Sequence, residues 1–177
     1  MLTQTNATST KVSIRRMKAE DILVVAGLEK ECFAEPWSAN AIAESLSDTN
    51  YVFFVATFAN DKSSFCNQTE ESKSAQQCGE TVAGYVGAYL AADELSITNV
   101  AVSGSYRRCG AADQLMKSLD TFAEEKNLYG ITLEVRVSNS AAIALYEKNG
   151  YEKSGIRKGF YSKPKEDALI MWKYFQQ

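Results

Sequence analysis

A carboxylate, Glu134, sits on the polar face of an alternating run, and a tyrosine, Tyr146, sits in the helical stretch that follows; between them they could take and give a proton. Upstream, Asn99-Val100-Ala101-Val102 breaks at Gly104 and leads through Arg107-Arg108-Cys109-Gly110-Ala111-Ala112 into an apolar-periodic helix. A Gly-containing turn that opens directly into a helix aims several backbone N–H groups from the positive end of the helix dipole, which makes an anion site. Arg107 and Arg108 add charge, and Gly110 removes a Cβ that would block a phosphate. The turn lacks the Gly-Lys-Ser/Thr of a P-loop and the full Gly-x-Gly-x-x-Gly of a Rossmann turn, so ATP and NAD are disfavoured. Its reading is a pyrophosphate cradle beside an acid/base pair.

The chain has 177 residues and no histidine, so Ser-His and Cys-His activation of a nucleophile are excluded. A general base must then be a carboxylate, Tyr, Lys or a water held by one of them. Cys32, Cys66, Cys78 and Cys109 form no Cys-x-x-Cys pair, which leaves free thiols in a reducing compartment as the expectation and no metal site or disulfide framework. Cys66 and Cys78 share one polar stretch and could pair only under oxidation. A net charge of −3 argues against a broad nucleic-acid footprint and mildly favours a partner with a basic segment. No apolar run approaches the ~18 residues a bilayer span needs, and the polar start does not read as a signal sequence. A cytoplasmic protein with no membrane partner is expected.

The elements that position these residues follow from periodicity. Residues 12–17 and 51–58 read as strands, and Ile22, Val25, Leu28, Glu29 and Cys32 fall at helical spacing ahead of Pro36. Ser38 is placed to cap a short second helix, with Trp37 either lining a cleft or plugging the core. Residues 60–80 are too polar to pack and read as an enlarged hairpin loop between strands, the second being 82–90. Strand 95–102 follows, and then a helix with Leu115, Met116, Leu119, Phe122 and Ala123 on its apolar face. In 131–137, Ile131, Leu133, Val135 and Val137 point one way and Thr132, Glu134 and Arg136 the other. Asn139 can cap the Tyr146 helix, which Gly150 ends. Two last strands, 151–156 and 168–172, enclose a loop with Arg157, Phe160, Tyr161 and Pro164. The whole is one domain, 12–177, behind a disordered tail, 1–11, with an insertion at about 60–80.

The Arg107 to Ala112 turn resembles the Arg/Gln-x-x-Gly-x-Gly/Ala signature of the GCN5-related N-acetyltransferases (GNAT). Pro36-Trp37-Ser38, Asn99-Val100-Ala101-Val102 and above all Leu133-Glu134-Val135-Arg136-Val137-Ser138-Asn139-Ser140-Ala141-Ala142-Ile143-Ala144-Leu145-Tyr146-Glu147 resemble the RimI branch of that family, in order and spacing across about residues 12 to 174. The resemblance implies an α/β (α+β) GNAT fold with a mixed sheet of about seven strands, about four helices, and splayed parallel strands that receive acetyl-CoA. It implies that Val100 and Val102 offer backbone groups to the acetyl and pantetheine arm, that Arg107, Arg108, Gly110, Ala111 and Ala112 surround the pyrophosphate, and that Asn139 contacts the cofactor beyond it. Glu134 matches the general base and Tyr146 the general acid.

The implied acceptor is the α-amine of a protein, typified by the N-terminal alanine of a small-subunit ribosomal protein, in a groove between residues 32–38 and 157–164 where Trp37 and Tyr161 would meet it. The alternatives are a small amine or lysine side chain as acceptor, and a noncatalytic acyl-CoA-binding module; a P-loop domain ranks last. Asp113 and Gln114 depart from the family pattern: Asp113 puts a negative charge beside the phosphate turn, where it can still favour the helix dipole while pointing to solvent, and Gln114 also replaces a usual small residue, so cofactor affinity could be reduced.

Overall fold

In the computed structural model, which describes residues 11–59 and 79–175, alternate residues of strand β2 (Tyr51–Ala59) enter two different cores. Val52, Ala56 and Phe58 pack on one side of the sheet and Phe53 and Val55 on the other, as the two-residue period of a strand requires. The polar tail, and with Cys66 and Cys78 nearly all of the insertion, lie outside the described residues.

The sheet has seven strands in the order β1-β2-β3-β4-β5-β7-β6, the others being β1 (Val12–Arg16), β3 (Glu80–Ala91), β4 (Glu94–Val102), β5 (Gly130–Arg136), β6 (Glu152–Ser162) and β7 (Lys165–Tyr174). Helices α1 (Ile22–Cys32) and α2 (Ala39–Ser47) cover one face with Val25, Leu28 and Ile42. Helices α3 (Ala111–Glu125) and α4 (Ser140–Lys148) cover the other, where Leu115, Met116, Leu119 and Tyr146 are buried. Ser38 and Asn139 cap α2 and α4 as expected, accepting from Ala41 and Ala142 N–H at 3.1 Å each. No helix of the described residues is long and apolar enough to cross a membrane.

All neighbouring strands are antiparallel except β4 and β5. That parallel pair runs only from Glu94 opposite Gly130 to Ile97 opposite Leu133. Both strands continue, so they part into a fork. The point of parting coincides with a bulge in β4, where Gly87 faces Asn99 and Ala88 faces Ile97, leaving Thr98 as the extra residue. A Cβ on Gly87 would lie 2.6 Å from the Phe53 ring and 3.1 Å from Thr98 Oγ1, so glycine makes room for the bulge.

Two expectations need correction. Arg157, Phe160 and Tyr161 are not in a loop but within β6, whose pairing with β7 jumps from Arg157 opposite Ala168 to Tyr161 opposite Glu166. An edge strand can bulge outward without breaking the sheet, and here Gly159, at φ +61°, donates its N–H to Asp167 Oδ1 at 2.7 Å. Val137 does not join Ile131, Leu133 and Val135 in the core; it follows the end of β5 and is exposed.

Arg15 on β1 grips the buried Asp21 through two bonds, 2.7 and 2.9 Å, and also reaches Glu80 at the start of β3 at 2.7 Å. Burial alone would raise Asp21, but the Arg15 guanidinium and the Lys18 amide overcome it and hold the carboxyl below its ordinary range. Arg15→Ala should cost about 2–3 kcal/mol in denaturant unfolding, because it strands a buried charge. The unfolded chain takes up the Asp21 proton first, so this stabilisation is complete above about pH 4 and is lost as the pH falls through the folded-state value. The gap between wild type and variant should therefore narrow in acid.

Candidate active site

The fork leaves backbone groups of β4 without a strand partner. Ser103 N–H donates to Ala83 of β3, so by alternation the N–H and C=O groups of Val100 and Val102 face the β5 side. Val102 O already accepts there from Arg107 Nε at 3.3 Å and lies 3.8 Å from Cys32 Sγ. Burial pushes the Cys32 thiol up, which keeps it protonated and unreactive beside the fork.

Below the fork the chain turns through a short 3-10 segment, Gly104–Tyr106, and enters α3 from Gly110 at φ +83°. Unlike α2 and α4, α3 begins without a side-chain cap, so the N–H groups of its first turn, from Ala111 and Ala112 onward, are available. A Cβ built on Gly110 would meet nothing within 4 Å, so the space over the turn is open. These donors, with Arg107 and Arg108 in the preceding residues, fit a pyrophosphate in charge and in room. Asp113 does not face solvent as expected. Its side chain is drawn to α4, pairing with Lys148 at 2.9 Å, Lys117 at 3.1 Å and Asn149 Nδ2 at 3.2 Å, and these partners hold its carboxyl below the usual range. The negative charge is thus neutralised away from the turn.

Glu134 alternates with Ile131, Leu133 and Val135, which are buried under α3 and α4, so its side chain projects from the α1–α2 face. Its Oε1 accepts from Arg157 of β6 at 3.1 Å. Arg136, on the same face of β5, is taken by Glu166 at 3.0 Å and by the carbonyls of Lys163 and Pro164. Tyr161 donates its hydroxyl to the Glu134 backbone carbonyl at 3.1 Å, its ring lying 4.1 Å from the Arg136 guanidinium, which fixes the end of β5. Tyr146 belongs to the opposite face, where it is buried with its ring 5.9 Å from Tyr151. Burial, with Tyr161 adding to it, pushes the Tyr146 phenol up to about 12, so at neutral pH it is a donor. Glu134 and Tyr146 therefore lie on opposite faces of one sheet. Asn139, expected at the cofactor, uses its Oδ1 to cap α4.

The two segments expected to wall an acceptor groove do meet. Glu35, between α1 and α2, accepts from Ser162 Oγ at 2.7 Å and lies 3.8 Å from Lys163 Nζ. Trp37 packs edge-on to Tyr51 at 6.2 Å, among the α1–α2 core residues, while its backbone N–H donates to Glu29 Oε2 at 2.7 Å. Glu29 is not legible in the sequence as a site residue, although a carboxylate on the buried stripe of a helix was the available signal. Arg157 was hidden by its assignment to a loop.

The description of the acetyltransferase (GNAT) family matches residues 24–151. A relative from Bacillus subtilis, a putative [ribosomal protein bS18]-alanine N-acetyltransferase, is 33% identical over 92% of this chain and 95% of its own length. The [ribosomal protein bS18]-alanine N-acetyltransferase of Escherichia coli is 29% identical over 90% of this chain and 95% of its own. The crystal structure of the Escherichia coli ribosomal-protein-S18-alanine N-acetyltransferase superposes with a TM-score of 0.74 at 27% identity, covering 94% of this chain and 96% of that one. Arabidopsis thaliana NAA60 in complex with acetyl-CoA shares the fold at a TM-score of 0.74 and 16% identity, covering 93% of this chain and 99% of that one.

Gly110→Ala places a methyl in the open space over the α3 turn and strains a left-handed residue by roughly 1 kcal/mol. Titration calorimetry should show acetyl-CoA binding weakened about tenfold or more, whereas Cys109→Ala, at an exposed neighbour, should leave it within about twofold.

Proposed function

The chain belongs to the acetyltransferase (GNAT) family, and from that premise we propose that it acetylates the α-amine of a protein, with the N-terminal alanine of a small-subunit ribosomal protein as its acceptor. The observation that supports the reading is the fork itself, where Val100 and Val102 turn backbone groups toward β5 without a strand partner, with Glu134 and Tyr146 on opposite faces of the sheet. Acetyl-CoA supplies the activated acetyl group. Val100 and Val102 hold the acetyl and pantetheine arm, and Arg107, Arg108, Gly110, Ala111 and Ala112 hold the pyrophosphate, with Asn139 beyond it.

The amine must shed a proton before its lone pair can form the new N–C bond. Glu134 accepts that proton, directly or through one water. Near pH 7.4 an α-amine of pKa ~8 is about 20% neutral, against about 0.1% for a lysine at ~10.4, so a carboxylate is base enough for the former. As the C–S bond breaks, its electron pair passes to sulfur, and Tyr146 faces that charge with its O–H. With the phenol at about 12 and a thiol near ~8.5, full proton transfer runs uphill, so the hydrogen bond carries most of Tyr146's contribution as general acid. Arg157 orients the Glu134 carboxylate and is displaced or shared as the ammonium arrives. Trp37 and Tyr161 flank the acceptor on the two walls that Glu35 and Ser162 bridge. The likeness of the two bS18-alanine N-acetyltransferases over nearly the whole chain supports the choice of acceptor. A cytoplasmic location follows from a ribosomal acceptor.

Purified protein with acetyl-CoA should acetylate an Ala-starting peptide with the bS18 N-terminal sequence and leave the same peptide untouched when its N-terminus is blocked; acetylation of the blocked peptide at lysine would overturn the acceptor. Glu134→Gln should lower kcat about 10²–10⁴-fold and Tyr146→Phe about tenfold to a hundredfold, with acetyl-CoA affinity retained in both. Unchanged turnover in the double variant would remove both residues from the chemistry.

A further inference from the structure

Glu29 is the one carboxylate among the described residues whose side chain belongs wholly to the interior, at 0% exposure. Its three contacts come from three separate parts of the fold. Oε2 accepts the Trp37 backbone N–H at 2.7 Å; Oε1 accepts the Tyr85 hydroxyl of β3 and Asn99 Nδ2 of β4 at 2.9 Å. Every contact donates to it, the pattern an acceptor-only carboxylate requires. Burial, with the Glu29 carboxylate next to it, pushes the Tyr85 phenol up and so keeps it a donor. All three donors are neutral, so no cation among the described residues offsets the desolvation of Glu29, and a well-packed apolar side chain would serve stability as well or better.

The two ends of this network are not ordinary core positions. Asn99 is the residue immediately after the Thr98 bulge, where β4 leaves β5 and the fork begins. Trp37 lies in the turn after α1, two residues from Glu35, which closes onto Ser162. We propose that Glu29 is a positioning residue, whose carboxylate locks the acceptor-side turn at Trp37 to the bulged cofactor strand at Asn99. On this account the donor and acceptor walls are held in one register by a single side chain on α1. The role in turnover rests on the acetyltransferase reading above; the lock itself does not.

The two oxygens have separate duties, which makes the lock testable. In Glu29→Gln the amide oxygen takes the site facing Tyr85 and Asn99, since Asn99 can only donate there, and the NH2 is left against the Trp37 N–H. Hydrogen exchange resolved at the Trp37 amide should accelerate at least tenfold in Glu29→Gln, with no matching change in Tyr85→Phe. Asn99→Ala, which spares the Trp37 bond, should leave that amide protected and weaken acetyl-CoA binding about fivefold or more by calorimetry. In steady-state assays Glu29→Gln should raise KM for the Ala-starting peptide about tenfold and change KM for acetyl-CoA less than about twofold. Unchanged Trp37 exchange in folded Glu29→Gln, or acetyl-CoA binding unchanged in Asn99→Ala, would overturn the proposal. Should Glu29→Gln not fold, Asn99→Ala alone decides by the same binding criterion. Wild-type protein that shows the exchange and binding pattern but does not acetylate the peptide would refute the acceptor and leave the lock standing.

Discussion

Everything in this molecule answers to one unpaired stretch of backbone. β4 and β5 share only the register from Glu94 and Gly130 to Ile97 and Leu133, and then continue as neighbours that no longer bond. Backbone donors and acceptors withheld from a ladder cost roughly 1–3 kcal/mol each if they are also kept from water. A sheet that opens in its middle therefore has to give those groups another use. The bulge at Thr98, the room left by Gly87 and the approach of Arg107 and Cys32 to Val102 are the local means by which the opening is shaped.

The sheet also solves an electrostatic problem. A proton acceptor and a proton donor placed side by side would neutralise each other by sharing one hydrogen. Strand alternation puts Glu134 on the α1–α2 face, with Arg157 at its carboxylate, while Tyr146 stands in the apolar core on the α3–α4 side, where burial holds its proton. Arg157 fixes where the Glu134 carboxylate lies, and exclusion of water keeps the Tyr146 hydroxyl protonated. The sheet thus keeps the two groups apart, one on each face.

Much of this was legible in the residues. The strand and helix periods of 51–58 and 112–123, the caps at Ser38 and Asn139 and the glycine before α3 are local signals, and each is where the residue types placed it. What escaped was decided across the chain. The run around Arg157 and Tyr161 is polar and glycine-broken because it edges the sheet, where alternation is not enforced; it therefore passed for a loop. Asp113 looked like a liability beside a phosphate turn, since the partners that draw it away, Lys148 and Asn149, lie on another helix. Glu29 was counted with the apolar stripe of α1, because nothing in its neighbourhood announces that Tyr85 and Asn99 will arrive as donors.

The Asp113 cluster has a mechanical meaning as well. Its carboxylate ties the first turn of α3 to the last turn of α4 through Lys148 and Asn149, and Asn149 also caps its own helix by bonding Leu145 O at 2.9 Å. The uncapped helix α3 and the helix that carries Tyr146 are thus pinned at one corner, like two struts sharing a bolt. A push on the start of α3 is passed to the end of α4 through this corner, so the first turn of one helix and the last turn of the other shift as one piece.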